Sequence, residues 1–322
     1  MMQSAPTPDT GAARPVADDL RRFLNGYWLR PENAFWMVLR SHVLAPFAMA
    51  RASIDISCGD GCFMFLHAGG AFDPDFDVFR GVGRLDDVRD GHADMFDYVD
   101  EAYRPRIAAP PAWRIDVGTD WKQALLDKAA PLGLYDTLIR HDNNEPLPMA
   151  DGRFATVYCN SVYWVERVEA FLREIRRITA ADGKILLEIK LASILRYTLA
   201  GFRDVLGDRW LEIIDRGRAA TWTSLTDRAT WERRFAAAGL AIEHAIPFIT
   251  RTHAHLWDIG LRPIAPMLVK MANALAPDTR RAIKAEWVDL FVELLEPFTR
   301  PDLDLFSDRA DPVEILYVLR PA

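Results

Sequence analysis

The chain predicts an α/β fold with a parallel sheet, and three features of its 322 residues carry that expectation. Strand-like and helix-like segments alternate from "WRIDVGTD" to "KILLEIK". "KILLEIK" is the kind of continuous apolar run that is buried on both faces of a parallel sheet. An earlier strand-like run, "SIDIS", ends directly in a glycine turn at Gly59-Asp60-Gly61. Such alternation argues for strands joined by crossover helices.

In chain order, "DDLRRFLNGYWL" and "NAFWMVLRSHVLAPFAM" space their apolar residues three and four apart and predict two helices before residue 51. "SIDIS" follows as a strand. Residues 67–112 are rich in Asp, Gly and Phe and too long for a simple connection, so they predict an insertion that shapes a site. "WRIDVGTD", "DTLIRHD" and "ATVYCNS" predict further strands. "WKQALLDKAAPLG" predicts a helix ending at Gly133, and "VERVEAFLREIRRITAADG" one stopped by Gly183. Beyond Leu191 the rhythm changes to helical segments and a strand, "AIEHAIPF". A Trp- and Leu-rich helical block fills roughly 254–297, and "VEILYVLRPA" predicts a closing edge strand. The expected units are 1–50 (tail and helices), 51–192 (core with its insertion), 193–305 (helical lid plus a strand) and 306–322 (edge strand).

The net charge of -7 argues against a dedicated nucleic-acid binder, which needs a basic face. Cys58, Cys62 and Cys159 form no disulfide framework and no zinc spacing, and they suggest a reducing compartment. The opening "MMQSAPTPDTGAARP" lacks an apolar core and suggests a loose tail, and no apolar run nears the roughly 20 residues of a membrane span. A cytoplasmic protein is expected.

In a doubly wound sheet, ligands sit beyond the carboxyl ends of the strands, where glycine lets backbone approach them. A dinucleotide turn needs a third glycine, and Met64 stands in its place here. Asp60 would repel a pyrophosphate, and no phosphate-loop lysine follows. The turn suits a ligand without phosphates.

"IDISCGDG" resembles the first motif of class I S-adenosylmethionine-dependent methyltransferases of the small-molecule type. "VGTDW", "RHDNNEPLPMADGRFATVYCNSVYWV" and "FLREIRRITAADGKILLEI" resemble the family's later motifs, in the right order. The resemblance implies a doubly wound, mostly parallel, seven-stranded Rossmann-like sheet with N-terminal helices and a helical lid insertion. It implies S-adenosylmethionine as cofactor and a small-molecule acceptor, with O-methylation of a sugar or natural-product hydroxyl expected. It departs from the family at Ser57, where a glycine is usual, and in the long insertion before Asp120.

Residue by residue, the resemblance implies that Asp55, Ser57, Gly59 and Gly61 line the methionine end. Asp120 would take the ribose hydroxyls and Trp121 would cover the adenine. Asp142 and Asn143 would meet the adenine edge, and Asn160 would lie near the sulfonium. For Asp142 and Asn160 the alternative is ordinary turn chemistry. On the acceptor side, Tyr163, Arg216 and Arg218 are candidates; the two guanidiniums either clamp an anion or pair with nearby acids. His253 and His255 are candidate bases, since on a strand they would share one face. His255 is favoured for the apolar Leu256 and Trp257 beside it. "DPDFD" (Asp73, Asp75, Asp77) lacks the glycine and glutamate of a calcium loop, with Val78 and Arg84 in their places, and is expected to be a solvated turn. No metal is expected. A second copy of the chain is the one macromolecular partner left open. Two other readings stand beside methyl transfer: a non-methylating user of the same cofactor, and a catalytically silent cofactor-binding scaffold.

Overall fold

The computed structural model describes residues 16–80, 97, 103–215, 218–259, 261–300 and 311–322. Nine strands are found there: β1 (Ser53–Ile56), β2 (Ala71–Phe72), β3 (Ile107–Ala109), β4 (Ile115–Asp120), β5 (Tyr135–Arg140), β6 (Phe154–Cys159), β7 (Thr179–Lys190), β8 (Leu240–Ile249) and β9 (Glu314–Pro321). Seven of them form one sheet in the order β5-β4-β1-β6-β7-β9-β8. β5, β4, β1, β6 and β7 run parallel, whereas β9 is antiparallel to both of its neighbours. The chain builds outward from β1 through β4 to β5, then returns across β1 to β6 and β7. The carboxyl ends of β1 and β6 therefore flank the switch point, where open α/β sheets leave a ligand crevice.

Helices cover both faces. On one side lie α1 (Val16–Tyr27), α2 (Pro31–Leu44) and α3 (Cys62–His67), which begins at the glycine turn. Their core holds Phe23, Phe35, Phe65 and Leu186. The opposite core packs α5 (Val168–Ile178) and the helix Arg228–Ala237 against Ile185, Leu187 and Tyr317; α4 (Gln123–Ala129) joins β4 to β5. The helix Arg228–Ala237 starts where the sequence signals it, with the Asp227 carboxylate accepting from the Thr230 N–H at 2.8 Å.

Three expectations are corrected. "VEILYVLRPA" is not an edge strand. β9 inserts between β7 and β8, and six of its eight residues are buried. Its apolar residues occur on both faces, as befits an internal strand, and β8 takes the edge instead. Gly183 does not stop a helix either. α5 ends at Ile178, and Gly183 lies inside β7 near a register irregularity against β6, where an added Cβ would meet Thr179 Cγ2 at 2.7 Å. Finally, "DPDFD" is not a solvated turn. Asp77 is fully buried and pairs with both Nη atoms of Arg280 at 2.5 and 3.0 Å, latching the segment to the helix Pro277–Leu295. The described part of the 67–112 insertion contributes the small β2–β3 ribbon; residues 81–96 and 98–102 lie outside the described set.

Candidate functional site

The turn after β1 is held in shape by side chains on three other elements. Ser57 adopts φ 60°, a left-handed conformation that glycine takes without penalty and serine does not. The Asn143 Nδ2 donates to Ser57 Oγ at 2.7 Å, tying this residue to the loop after β5. Gly59 and Gly61 also have positive φ, for different reasons. A Cβ on Gly59 would meet nothing within 4 Å, so its backbone faces open space. A Cβ on Gly61 would press on Tyr135 at 3.0 Å and Ala129 at 3.1 Å, so this glycine lets α3 close on its neighbours. Asp60 points back into the fold. Its Oδ1 accepts from the Cys62 N–H at 3.0 Å, and Tyr27 of α1 donates to Oδ2 at 3.4 Å.

Two buried carboxyls flank the turn. Asp120, the last residue of β4, accepts from the Gly59 N–H at 3.1 Å and the Lys122 N–H at 2.9 Å. Burial raises its carboxyl above the usual range, and the two N–H donors work against that. Asp55 in β1 accepts from the Tyr135 hydroxyl at 2.6 Å and is pushed up to about 7 by burial. Trp121 stands 42% exposed beside Asp120, a large aromatic surface at the strand end. Asp142 is exposed and holds a local turn, its Oδ1 accepting from the Asn144 N–H at 2.9 Å. Asn160, directly after β6, accepts from Ser161 Oγ at 3.0 Å. Asp120, Trp121, Asp142, Asn143 and Asn160 stand at or just beyond the carboxyl ends of the parallel strands.

Residues 110–187 match the family model described as "Methyltransferase domain". The matched stretch runs from β4 into β7 of the sheet. S-adenosylmethionine is the cofactor that the sequence resemblance implies. Among solved structures it is similar to an S-adenosylmethionine-dependent methyltransferase from Mesorhizobium loti, at 16% identity over 88% of this chain and 96% of that one, with a TM-score of 0.42. It is also similar to an S-adenosylmethionine-dependent methyltransferase from Thermotoga maritima described as a possible histamine N-methyltransferase, at 14% identity over 72% and 83% of the two chains, with a TM-score of 0.40. No curated protein matches the sequence.

The chemistry of the turn fits the cofactor. Open backbone at Gly59 and a buried acceptor at Asp120 suit a ligand with hydroxyls and an amino acid end.

The ends of β7 and β9 bring together a buried charged group that the sequence reading passed over. Lys190 and Glu314 are register partners, and Glu188 shares their face of the sheet. Arg40 of α2 reaches in, with Nε 2.7 Å from Glu188 Oε2 and Nη2 2.7 Å from Glu314 Oε1. Trp36 Nε1 donates to the second Glu314 oxygen at 2.7 Å. The Lys190 Nζ lies 3.9 Å from the centroid of Tyr163, 5.4 Å from Trp222, 5.7 Å from Trp36 and 5.8 Å from Trp257. Burial lowers its ammonium to about 7. A sequence signal existed: "KILLEIK" carries two charges on alternate residues of an otherwise apolar strand, which is costly unless partners wait inside.

The candidate acceptor-side residues are placed unequally. Tyr163 is part of the ring set around Lys190. The Arg218 guanidinium lies 4.9 Å over Trp257, beside the same set. Arg216 lies outside the described residues. Asp215 pairs with Arg262, which also holds Asp258 of the helix Arg251–Ile259.

The two histidines do not share a face, because Arg251–Ile259 is a helix and residues two apart diverge by roughly 200°. His253 points inward with both ring nitrogens engaged. Nδ1 accepts from the Thr250 N–H at 3.1 Å, and Nε2 donates to the Phe298 carbonyl at 3.1 Å. Burial lowers it to about 4, and it serves as packing. His255 is exposed, with its ring edge-on to Tyr197 at 6.0 Å. His255→Ala is expected to change stability by no more than about 0.5 kcal/mol. S-adenosylhomocysteine affinity should stay within about twofold, a change of roughly 0.4 kcal/mol. Urea unfolding and isothermal titration check both; a larger loss of affinity would bring the histidine back to the site.

Proposed function

We propose that the methyltransferase moves the methyl group of S-adenosylmethionine to a hydroxyl of a small molecule, a sugar or natural-product hydroxyl, in the cytoplasm. The observation that carries this is the aromatic set Trp36, Tyr163, Trp222 and Trp257 at the carboxyl ends of β6 and β7, in a chain of net charge -7. Aromatic walls suit an apolar or sugar-ring acceptor, whereas a nucleic acid would need a basic face. Three free cysteines favour a reducing compartment, and among the described residues no helix is long and apolar enough to cross a membrane.

When bound, the cofactor supplies an electrophilic methyl group on a sulfonium. Asp120 would accept from the ribose hydroxyls while keeping the Gly59 and Lys122 N–H groups, and Trp121 would cover the adenine. Asp142 has one carboxylate oxygen beyond its turn for the exocyclic amine, beside Asn143. The Ser57, Gly59 and Gly61 backbone would follow the methionine end, with Asp55 buttressing the turn through Tyr135. Asn160 would stand between cofactor and acceptor, and Tyr163 and Arg218 would line the acceptor side. The main task left to the protein is alignment, because methyl transfer is an in-line displacement.

S-adenosylhomocysteine is expected to raise the unfolding temperature, and NAD and ATP to leave it unchanged, in a thermal-shift series. Stabilisation by NAD alone would refute the cofactor assignment. Incubation with methyl-labelled S-adenosylmethionine and a small-molecule extract should place label in base-stable methyl ethers. Label found only in protein or RNA would refute the acceptor class.

A further inference from the structure

We propose that Lys190 is the group that takes the proton from the acceptor hydroxyl. The inference rests on the methyltransferase reading above and adds the residue that makes a hydroxyl a workable acceptor. Lys190 is 5% exposed at the carboxyl end of β7, and among the described residues its Nζ makes no hydrogen bond and no ion pair. The two acids beside it are already committed. Both Glu314 oxygens bind Arg40 and Trp36, and Glu188 sits against Arg40. Glu188 and Arg40 Nε face each other as an ion pair, so Lys190 is the charged member of this group with no ion-pair partner among the described residues.

The four rings around it differ in burial. Trp36 and Trp257 are buried and close the inner wall, while Tyr163 and Trp222 are half-buried and form the outer one. An acceptor arriving past Tyr163 and Trp222 would meet Nζ at the carboxyl end of β7, the same edge of the sheet at which Asn160 follows β6. Two influences oppose each other at Nζ. Burial and the nearby Arg40 and Arg218 favour the neutral amine; Glu314, Glu188 and the faces of the four rings favour the ammonium. The balance leaves it able to gain and lose a proton near neutral pH, as a general base should.

The step balances without any further reactant. The acceptor O–H bond breaks, its electron pair forms the new O–CH3 bond, and the proton goes to the Lys190 amine, which becomes an ammonium. The methyl–sulfur bond breaks with its pair remaining on sulfur, and the ammonium later returns its proton to water. A carboxylate acceptor would have no proton to give and would face Glu188 and Glu314, so the site favours a neutral hydroxyl.

The first test needs no acceptor. Competitive acetylation of the ligand-free protein with acetic anhydride, read by peptide mass spectrometry across pH, should show Lys190 half-reactive near 7. Surface lysines should behave as ordinary amines near about 10.4. A Lys190 midpoint among the surface lysines, or no labelling at any pH, would overturn the proposal. The second test compares K190M and K190R with the wild-type protein, using methyl-labelled S-adenosylmethionine and the same small-molecule extract. Both variants should bind S-adenosylhomocysteine within about twofold of wild type, yet lose at least about a hundredfold in label transfer, the mid-range contribution of a positioned base. Undiminished transfer by K190M would overturn the base. Failure of the wild-type protein to bind S-adenosylhomocysteine would instead sink the methyltransferase reading, leaving the acetylation result to stand or fall by itself.

Discussion

Arg40→Met is expected to cost the folded protein about 3–5 kcal/mol near pH 8, the usual penalty for removing one partner from a buried charged group. Glu188 and Glu314 are both fully buried, and Arg40 is the only cation in ion-pair range of either among the described residues. Without it, Glu188 keeps its desolvation cost and loses its compensation. Burial already holds the Glu188 carboxyl well above its usual value of 4.5, in spite of Arg40. The sign of the pH dependence follows from that direction. A carboxyl raised in the folded state contributes its stability below the unfolded value and loses it as pH climbs through the raised one. The penalty of the substitution should therefore be small near pH 5, where the group is protonated, and grow through neutrality. Urea unfolding at the two pH values measures it. Equal losses at both, or a loss below about 1 kcal/mol at the higher pH, would show that the carboxylates find water or another partner.

The position of Glu188, Lys190 and Glu314 explains where sequence reading succeeds on this chain and where it stops. The parallel sheet and the cofactor turn were legible because they rest on local rules. Alternating apolar segments, "KILLEIK" and the glycines of "CGDGC" each constrain only their own neighbourhood. Ser57 was legible as a departure from the family's glycine, and the structure resolves it: the serine takes the glycine conformation and Asn143 holds it there. Partnerships between distant segments were not legible. Arg40 and Glu314 are 274 residues apart, and Asp77 and Arg280 are 203 apart. No periodicity announces that a charge in β9 will meet an arginine in α2. The order of the last two strands was signalled in part, since β9 carries five consecutive apolar residues, Ile315 to Leu319, whereas β8 interrupts its run with Glu243 and His244. The period of the histidine stretch was not legible either. "TRTHAHLWDIGLR" supports either period over so few residues, and the helix was decided by what surrounds it.

Asp120→Ala is expected to weaken S-adenosylhomocysteine binding about 10- to 150-fold, equivalent to roughly 1.5–3 kcal/mol for charge-assisted hydrogen bonds. The sequence leaves room for a different acid, since the long insertion separates β1 from β4 and Asp116 lies in the same strand. The structure removes that alternative. Asp116 accepts from the Ser53 N–H at 2.8 Å, at the amino end of β1, roughly 13 Å along the strand from Asp120. Asp120 instead bonds Gly59 directly, so the insertion does not displace it from the turn. The alanine variant also leaves the Gly59 and Lys122 N–H groups without their acceptor, which separates two contributions that a conservative change can tell apart. Asp120→Asn keeps an amide oxygen for one of those N–H groups but loses the charge. If the carboxylate acts on the ribose, the asparagine variant should unfold close to wild type in urea yet still lose most of the affinity. If it only braces the turn, asparagine should restore both. Isothermal titration of the two variants decides it, and alanine binding within about twofold of wild type, a change of roughly 0.4 kcal/mol, would mean that the cofactor's ribose lies elsewhere.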